Sequence, residues 1–259
     1  MKTIYTLGYP KSGSTWLSRL LGDTLNSPVG GIRPDDDTGC IATEGQDRPG
    51  PYYIRQGHAV PGSGDTLTPG RHIIALEHLT DERIVIMLRD PRDVAVSAAH
   101  HWGRSLDEAL HCMGKGLWPI PHGGGWCEWV RAWMEVASNC KPWILPRKRF
   151  PLYMSYEYLT ADTFVALQTV TDYMTDCEFD GDIETSIIRQ SFDTRRAYTE
   201  QHGDALNYGK EFQLRFLRKG VVGDWRNHFT SEHKRLAEGY FGEMMRELGY
   251  TKDETWVNE

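Results

Sequence analysis

Near its start the chain contains the stretch Ile4-Tyr5-Thr6-Leu7-Gly8-Tyr9-Pro10-Lys11-Ser12-Gly13-Ser14-Thr15-Trp16. Its short, mainly apolar beginning predicts a β-strand, the residues rich in Gly, Pro and Ser predict a turn, and an apolar helical pattern starts at Trp16. Backbone N–H groups at the start of a helix lack an intrahelical partner, and the helix dipole favours negative charge there. The stretch therefore predicts an anion-binding loop, to which Lys11 adds a positive charge.

The loop differs from the nucleotide-binding P-loop in the position of its lysine. The nucleotide motif is GxxxxGK followed by Ser or Thr, and Gly8, Gly13 and Thr15 match its spacing. Ser14 stands where that motif has its lysine, and the lysine of this chain lies three residues earlier. A lysine inside the loop reaches a different point on the ligand, so an ATP or GTP site is disfavoured.

Length and composition bound the class of protein. A chain of 259 residues predicts one large domain, 1–259, with a sizeable core, and 25% charged and 39% apolar residues are ordinary for a globular protein. The net charge of −7 argues against a nucleic-acid partner. No apolar run approaches the roughly 18 residues of a membrane span, and the N-terminal run is too short for a signal peptide. We expect a cytoplasmic protein with no membrane partner.

The cysteines and histidines do not indicate a metal site. Five cysteines form no CxxC pair, which disfavours a disulfide framework or a structural zinc site. The densest cluster of the ten histidines contains His100 and His101, but neighbouring residues on a helix point about 100° apart. We expect no metal.

A second strand–turn–helix unit follows the first. Residues 84–88 form an unbroken apolar, β-branched run that predicts a buried parallel strand, and Pro91 predicts the start of a helix. Alternating strands and helices predict an α/β, P-loop-like three-layer fold with a mainly parallel central sheet flanked by helices. Ligands of such sheets lie beyond the carboxyl ends of the strands, where Lys11 and Arg89 are both expected.

Several other segments carry weaker patterns. Residues 26–70 and 103–124 are rich in turn residues and predict loops on the substrate side, apart from a short strand at 52–58 and a short helix at 106–113. Residues 73–79 predict a helical turn or two, and residues 183–201 predict one helix.

The opening loop, Tyr9 to Trp16, strongly resembles the 5′-phosphosulfate loop of cytosolic-type sulfotransferases. Those enzymes use 3′-phosphoadenosine 5′-phosphosulfate (PAPS) as co-substrate. The resemblance covers about residues 4–230, and in this loop it assigns PAPS binding to Lys11, Ser12, Gly13, Ser14, Thr15 and Trp16.

Two more stretches are similar to the family's 3′-phosphate motifs. Residues 88–97, Leu-Arg-Asp-Pro-Arg-Asp-Val-Ala-Val-Ser, imply that Arg89 and Ser97 hold the 3′-phosphate. Residues 218–225, Arg-Lys-Gly-Val-Val-Gly-Asp-Trp, resemble the RKGxxGDW loop and imply the same for Arg218, Lys219 and Gly220, with Phe216 and Leu217 near the adenine. The alternatives are a surface salt bridge from Arg89 to Asp90 or Asp93, a Ser97 hydroxyl bonded back to a helix carbonyl, and a solvated turn at 218–225.

Two aromatic residues resemble the family's adenine contacts. Tyr156 ends a strand, although Tyr158 replaces the family's acidic residue, and Phe192 follows Ser191, although Gln190 replaces the usual threonine. Both rings could instead be part of the core.

The family's catalytic base is implied at His58. Residues 56–61, Gln-Gly-His-Ala-Val-Pro, resemble the Lys-Thr-His-Leu-Pro segment of the family. Gln56 replaces a lysine that assists the transfer, and Arg55 next to it would point to the opposite face of the strand.

The implied function is transfer of a sulfuryl group from PAPS to a hydroxyl, or an amine, of a small-molecule acceptor. His58 would act as base, Lys11 would stabilise the leaving phosphate, and no metal would be required. A monomer or homodimer is expected. The alternatives are an ATP-dependent small-molecule kinase and a catalytically inactive nucleotide-binding protein, the latter because of Gln56.

Overall fold

The computed structural model describes residues 2–34, 41–62, 73–75, 83–117, 124–139, 151–179, 181–204, 206 and 217–259. Within these ranges the strands are β1 (Lys2–Gly8), β2 (Val29–Pro34), β3 (Ile41–Glu44), β4 (Tyr52–Gly57), β5 (Val60–Gly62), β6 (Ile73–Ala75), β7 (Arg83–Leu88) and β8 (Leu152–Ser155).

The helices of the same ranges are α1 (Ser14–Thr24), α2 (Pro91–Trp102), α3 (Leu106–Lys115), α4 (Trp126–Asn139), α5 (Tyr156–Ala161), α6 (Thr163–Thr175), α7 (Ile183–Arg189), α8 (Phe192–His202) and α9 (Ser231–Glu247). Two short 3-10 helices span Asp224–Asn227 and Glu254–Asn258. None of the described helices has the length and apolar character needed to cross a membrane.

Six of the strands form one sheet in the order β3-β2-β4-β1-β7-β8. All neighbouring pairs are parallel except β2 with β3, which is antiparallel. Strands β5 and β6 form a separate parallel pair. The mainly parallel α/β sheet predicted from the sequence is confirmed.

Alternate residues of the central strands feed two hydrophobic clusters on opposite faces of the sheet. On β7, Ile84 and Ile86 join one cluster with α2, α4 and α9, whereas Val85 and Met87 join the other with α1 and α6. All four side chains are at most 2% exposed. Since a strand directs successive side chains to opposite faces, helices cover both sides, which gives the expected three layers.

The loop predicted over residues 26–70 is wrong in part, because β2 and β3 lie within it. Gly30 indicated a turn, yet in the structure it meets a neighbouring strand closely: a Cβ added there would lie 2.0 Å from the Tyr53 hydroxyl oxygen. Glycine in a strand often marks this kind of approach, and the pairing of β2 with β3 is also irregular between Gly30 and Pro34.

Two helical predictions also need correction. Residues 73–75 form strand β6 instead of a helical turn. The helix predicted over 183–201 is two helices, because the Ser191 side chain caps α8 by accepting a hydrogen bond from the Thr194 N–H. A serine side chain that accepts a hydrogen bond from the backbone N–H three residues later is typical of the start of a helix, not of its interior. The break places Phe192 at the first position of α8.

A buried group of charges fastens α1 to its neighbours. Glu44, at the end of β3, accepts hydrogen bonds from Arg19 of α1 at 3.1 Å and from Arg195 of α8 at 2.8 and 3.1 Å. Arg19 also pairs with Asp204, so two arginines face two carboxylates. Arg19, Arg195 and Asp204 are at most 8% exposed, and in such a place the loss of one partner leaves an uncompensated charge.

We expect Glu44→Gln to lower the free energy of unfolding by about 3 kcal/mol, because the buried Arg195 guanidinium would lose its hydrogen-bonded carboxylate and Arg19 would keep only Asp204. Chemical denaturation of the purified protein measures this. Glu200→Gln is the matched control, since Glu200 pairs with Arg196 on the exposed face of α8, where both side chains are about half exposed. Equal stability of the two variants would contradict the structural role of the group.

Candidate functional site

The loop between β1 and α1 winds tightly enough to direct backbone N–H groups outward. Lys11 (φ 72°) and Gly13 (φ 93°) both have left-handed backbone conformations, and the Ser12 N–H donates to the Tyr9 carbonyl at 3.0 Å. Gly13 must be small, because a Cβ there would lie 2.5 Å from the Tyr156 ring. Among the described residues no side chain caps the N-terminus of α1. The N–H groups of Trp16 and Leu17 donate to the Gly13 carbonyl, which leaves those of Ser14 and Thr15 to meet an anion.

The hydroxyl groups of this loop fit an anionic ligand. Ser12 is 1% exposed, and its buried Oγ has no hydrogen-bond partner in the described part of the chain. Leaving such a group unsatisfied costs about 1–3 kcal/mol, which a phosphate or sulfate oxygen would recover. The Thr15 Oγ1 accepts a hydrogen bond from Gln56, so that hydroxyl retains its own proton to donate to a ligand.

Lys11 has an unusual protonation equilibrium. Burial of its ammonium group, together with the positive charge of Arg89, lowers the pKa of Lys11 to about 7. An anion bound in the loop would favour the charged form and raise that pKa again. Lys11 therefore lies where negative charge is strongly preferred.

Arg89 connects this loop to residues 218–225, which we call the C-terminal loop. From the end of β7 its guanidinium donates to the Lys11 carbonyl at 3.0 Å and to the Val221 carbonyl at 3.3 Å. It lies over the Tyr156 ring, with its carbon 4.1 Å from the ring centroid. Arg89 is 7% exposed, and its buried Nε has no hydrogen-bond partner among the residues that the structure describes, so a strong donor remains for a further anion. These contacts differ from the surface salt bridge considered as the alternative.

Asp93, in the first turn of α2, holds the C-terminal loop against that helix. Its carboxylate accepts from the Gly223 N–H at 2.6 Å and from the Trp225 N–H at 2.9 Å. Ser97 lies one helical turn later and is partly exposed. Residues four apart on a helix share a face, so Ser97 lies on the side of α2 that meets this loop.

The cations of the C-terminal loop converge on one carboxylate. Asp224 is reached by the guanidinium of Arg218 at 2.6 Å, by Lys219 at 3.2 Å and by His228 at 3.1 Å. Burial would raise the pKa of Asp224, but the hydrogen bonds it accepts, first from Asn227 and then from Arg218 and Lys219, hold that pKa well below its usual range. A positive φ of 67° at Gly220 completes the turn.

The two predicted adenine contacts lie in different surroundings. Tyr156 is 6% exposed and packs between Arg89 and the indole of Trp16, whose ring centroid is 5.9 Å away. Phe192 lies beside the C-terminal loop, because a Cβ on Gly220 would be 3.0 Å from its ring. Trp16 Nε1 donates to the Gln190 carbonyl at 3.0 Å, which ties the start of α8 to the anion loop.

Two further residues of the adenine prediction flank the C-terminal loop. Leu217 is partly buried just before Arg218. Phe216 lies outside the described residues.

The position of His58 follows from the pairing of β4 with β1. Leu7 is the register partner of Gly57, so His58 is placed beside Gly8 at the start of the anion loop. Its Nδ1 lies 2.6 Å from the Gly8 carbonyl oxygen. Because a carbonyl only accepts, Nδ1 carries the proton, and in the neutral ring the lone pair is on Nε2. This is the tautomer of a proton acceptor.

Arg55 and Gln56, on β4 before His58, point to opposite faces of the strand, as expected. Arg55 is exposed, whereas Gln56 is buried and bonds to Thr15. Arg55 therefore does not take the place of the family's lysine.

Sequence reasoning missed the carboxylates that support the site, Asp93 and Asp224. Their signal was available, since each lies inside a motif, but a motif does not say which backbone N–H or cation an acidic side chain will meet. In the described part of the chain, no group of three or more His, Cys, Asp and Glu side chains is arranged to hold a metal ion.

Comparison with known proteins identifies relatives over most of the chain. The family model for the sulfotransferase domain matches residues 75–249. Sulfotransferase 2A1 of rat (Rattus norvegicus) is 26% identical over 255 residues, covering 92% of this chain and 83% of that protein. Sulfotransferase 2A1 of Homo sapiens is 24% identical over 267 residues, covering 95% and 85%.

Two solved structures share the fold. Mouse sulfotransferase SULT7A1 complexed with PAP matches with a TM-score of 0.67 and 22% identity, over 95% of this chain and 85% of that one. Retinol dehydratase in complex with androsterone and the inactive cofactor PAP matches with a TM-score of 0.61 and 16% identity, over 95% and 82%.

The lowered pKa of Lys11 predicts how binding depends on pH. Above about pH 7 the free lysine is increasingly neutral, so an anion must bind together with a proton, and we expect the affinity for adenosine 3′,5′-bisphosphate to fall by up to about tenfold per pH unit. Titration calorimetry between about pH 7 and about pH 9 measures this in wild type and in Lys11→Met, where the added dependence should vanish. Identical pH profiles of the two proteins would show that Lys11 does not titrate in this range.

Proposed function

Because this chain belongs to the sulfotransferase family and is a PAPS-dependent sulfotransferase, we propose that it sulfates a hydroxyl, or an amine, of a small-molecule acceptor, with His58 as the base and Lys11 at the leaving phosphate. The observation that carries the placement of the co-substrate is the position of Arg89 between two cationic loops. A ligand with two separated anionic ends fits such a pair of loops better than one with a single triphosphate chain.

The residues of the anion loop hold the 5′ end of the co-substrate in this proposal. The sulfuryl group is supplied by PAPS, which leaves as adenosine 3′,5′-bisphosphate. Ser12 and the first-turn N–H groups of α1 bind the phosphate oxygens, with Gly13, Ser14, Thr15 and Trp16 completing the loop. Lys11 stabilises the negative charge that develops on the leaving oxygen. Its low pKa without ligand reflects how poorly its site tolerates an uncompensated positive charge.

The 3′-phosphate is assigned to the other side of Arg89. Arg218 and Lys219 approach from the C-terminal loop, and Ser97 approaches from α2. Asp224 keeps the two cations in position, and its lowered pKa means that it stays negative while they bind. The Arg89 Nε, which has no hydrogen-bond partner among the described residues, supplies a further donor to this phosphate. For the adenine we propose Phe192, next to Gly220, with Leu217 and Phe216.

Tyr156 has a different role in this proposal. Its ring is buried beneath the Arg89 guanidinium, so it stabilises the position of that arginine by a cation–π contact. Any contact that it makes with adenine is therefore limited to an edge of the ring.

His58 completes the reaction on the acceptor side. Its Nε2 takes the proton of the acceptor hydroxyl as the oxygen bonds to sulfur, while Nδ1 keeps its own proton and donates it in a hydrogen bond to the Gly8 carbonyl. Gln56 brings no charge to the reaction, because an amide is neutral, and its amide NH2 group donates to the Thr15 hydroxyl. The inactive-binder alternative rests on this replacement. The kinase alternative has lost its basis, because the relatives are sulfotransferases.

The acceptor side is proposed from the elements that surround His58. The segments 26–70 and 103–124 form it, and strand β5 begins two residues after His58. The side chains packed around His58, such as Tyr9, Ala59 and Trp129, are apolar or aromatic and buried, so they support the base and do not themselves face an acceptor. For the acceptor we propose an apolar molecule that carries one reactive hydroxyl. Retinol dehydratase, which shares this fold, forms complexes with androsterone and with retinol, and both are apolar alcohols of this kind.

The test is transfer of labelled sulfate from PAPS to a panel of apolar alcohols, phenols and amines. We expect His58→Ala to reduce kcat by about 100-fold or more, since general-base catalysis contributes that much, and to leave the affinity for adenosine 3′,5′-bisphosphate within about twofold. Lys11→Ala should reduce both.

The matched control for this test is His111→Ala, because His111 lies on the exposed face of α3 and bonds to the Tyr240 hydroxyl at 2.7 Å. It should behave as wild type. Full activity in His58→Ala would remove His58 from the mechanism. Binding of the bisphosphate without transfer to any acceptor would favour the inactive binder.

A further inference from the structure

We propose that Trp129 and Trp133 of α4 are positioning residues for the base, because their indole N–H groups fix the backbone that carries His58. This inference rests on the proposed role of His58. It assigns to α4, a helix that contributes no residue to the proposed phosphate contacts, the task of orienting the residue that receives the acceptor's proton.

The two indoles donate to consecutive carbonyls. Trp129 Nε1 lies 3.1 Å from the His58 carbonyl oxygen, and Trp133 Nε1 lies 3.0 Å from the Ala59 carbonyl oxygen. The tryptophans are four residues apart, so they share one face of α4, and their ring centroids are 6.3 Å apart. Both side chains are 0% exposed, which removes competition from water for these hydrogen bonds.

The carbonyls need such donors because of where they lie in the chain. Strand β4 ends at Gly57 and β5 begins at Val60, so His58 and Ala59 lie between two strands that belong to different sheets. A buried carbonyl outside a strand ladder requires a partner from elsewhere. An indole N–H can only donate and moves with a large, well-packed ring, which makes it a rigid partner.

The ring of His58 is held as well as its backbone. Nδ1 is bonded to the Gly8 carbonyl, and the two indoles hold the peptide groups on either side of Ala59, which are the 58–59 and 59–60 peptides. These three contacts fix the direction of Nε2, because they restrict rotation of the imidazole ring and movement of the backbone that carries it. Tyr9, adjacent to Gly8, lies edge-on to Trp129 with centroids 6.3 Å apart, so the anion loop and α4 also pack against each other.

A third tryptophan on the same helix separates bulk from hydrogen bonding. Trp126 is 1% exposed and packs edge-on against Phe241 of α9 at 5.8 Å, away from the His58 carbonyl. Replacing any of the three by Phe keeps an aromatic ring but removes the N–H. A loss of packing is therefore common to all three variants, whereas the loss of a donor to the 58–59 backbone occurs in only two.

The experiment compares Trp129→Phe, Trp133→Phe, the double variant and Trp126→Phe in steady-state transfer, bisphosphate binding and thermal unfolding. We expect kcat to fall by about tenfold in each of the first two and by about 100-fold in the double variant, because small displacements of a catalytic group have effects of that size. Affinity for the bisphosphate should stay within about twofold, and Trp126→Phe should keep its kcat, since these rings do not touch the anion loops' phosphate donors.

A second arm repeats the double variant in the His58→Ala background. If the indoles act through His58, their removal there should add less than about a twofold loss, because effects transmitted through one residue are not additive. A wild-type kcat in the double variant, or an equally large loss in the His58→Ala background, would overturn the inference while leaving His58 as the base. Full activity in His58→Ala alone would overturn the base assignment and this inference with it.

Discussion

The site depends on one buried guanidinium, that of Arg89. It donates to a carbonyl of the anion loop and to a carbonyl of the C-terminal loop, and its face rests on the Tyr156 ring. The two carbonyls belong to Lys11 and Val221, which are 210 residues apart in the chain, and Arg89 contacts both of them directly. Two backbone carbonyls neutralise only part of its charge, so an anion bound between the loops is strongly favoured.

The α/β fold places this arginine and then immobilises its surroundings. Parallel strands β1 and β7 are neighbours, so the residues that follow them, Lys11 and Arg89, emerge at the same edge of the sheet. One turn later Arg92 pairs with Asp90, donates to the Tyr250 carbonyl at 3.1 Å, and lies between the rings of Trp225 and Trp256 at 4.2 and 4.6 Å.

Together with the Asp93 carboxylate, these contacts dock the C-terminal loop and the C-terminal residues onto α2. His58, the proposed base, is held in a comparable way, by hydrogen bonds from an adjacent helix.

Much of this arrangement follows from sequence patterns that have a direct physical meaning. The apolar run before Arg89 and the Gly-containing turn before α1 predict parallel strands that end at a ligand edge, and the structure has both. Strands β2 and β3 were not predicted, because a glycine such as Gly30 is typical of a turn and the sequence does not show that Gly30 packs closely against Tyr53. The motif of Tyr156 implies a contact with adenine, and the structure adds a contact that the motif does not show, with the Arg89 guanidinium 4.1 Å from the ring centroid. Side-chain pairings across the fold, such as the indole bonds to residues 58 and 59, have no local signal.

The central claim is that Arg89 lies between two phosphate sites that bind one ligand. The most direct measurement is the ratio of affinities for adenosine 3′,5′-bisphosphate and adenosine 5′-monophosphate, which differ only in the 3′-phosphate, determined by titration calorimetry at one ionic strength. We expect the bisphosphate to bind at least about 100-fold more tightly than the monophosphate, because two or more charge-assisted hydrogen bonds would be lost with the 3′-phosphate. Equal affinities for the two nucleotides would contradict it.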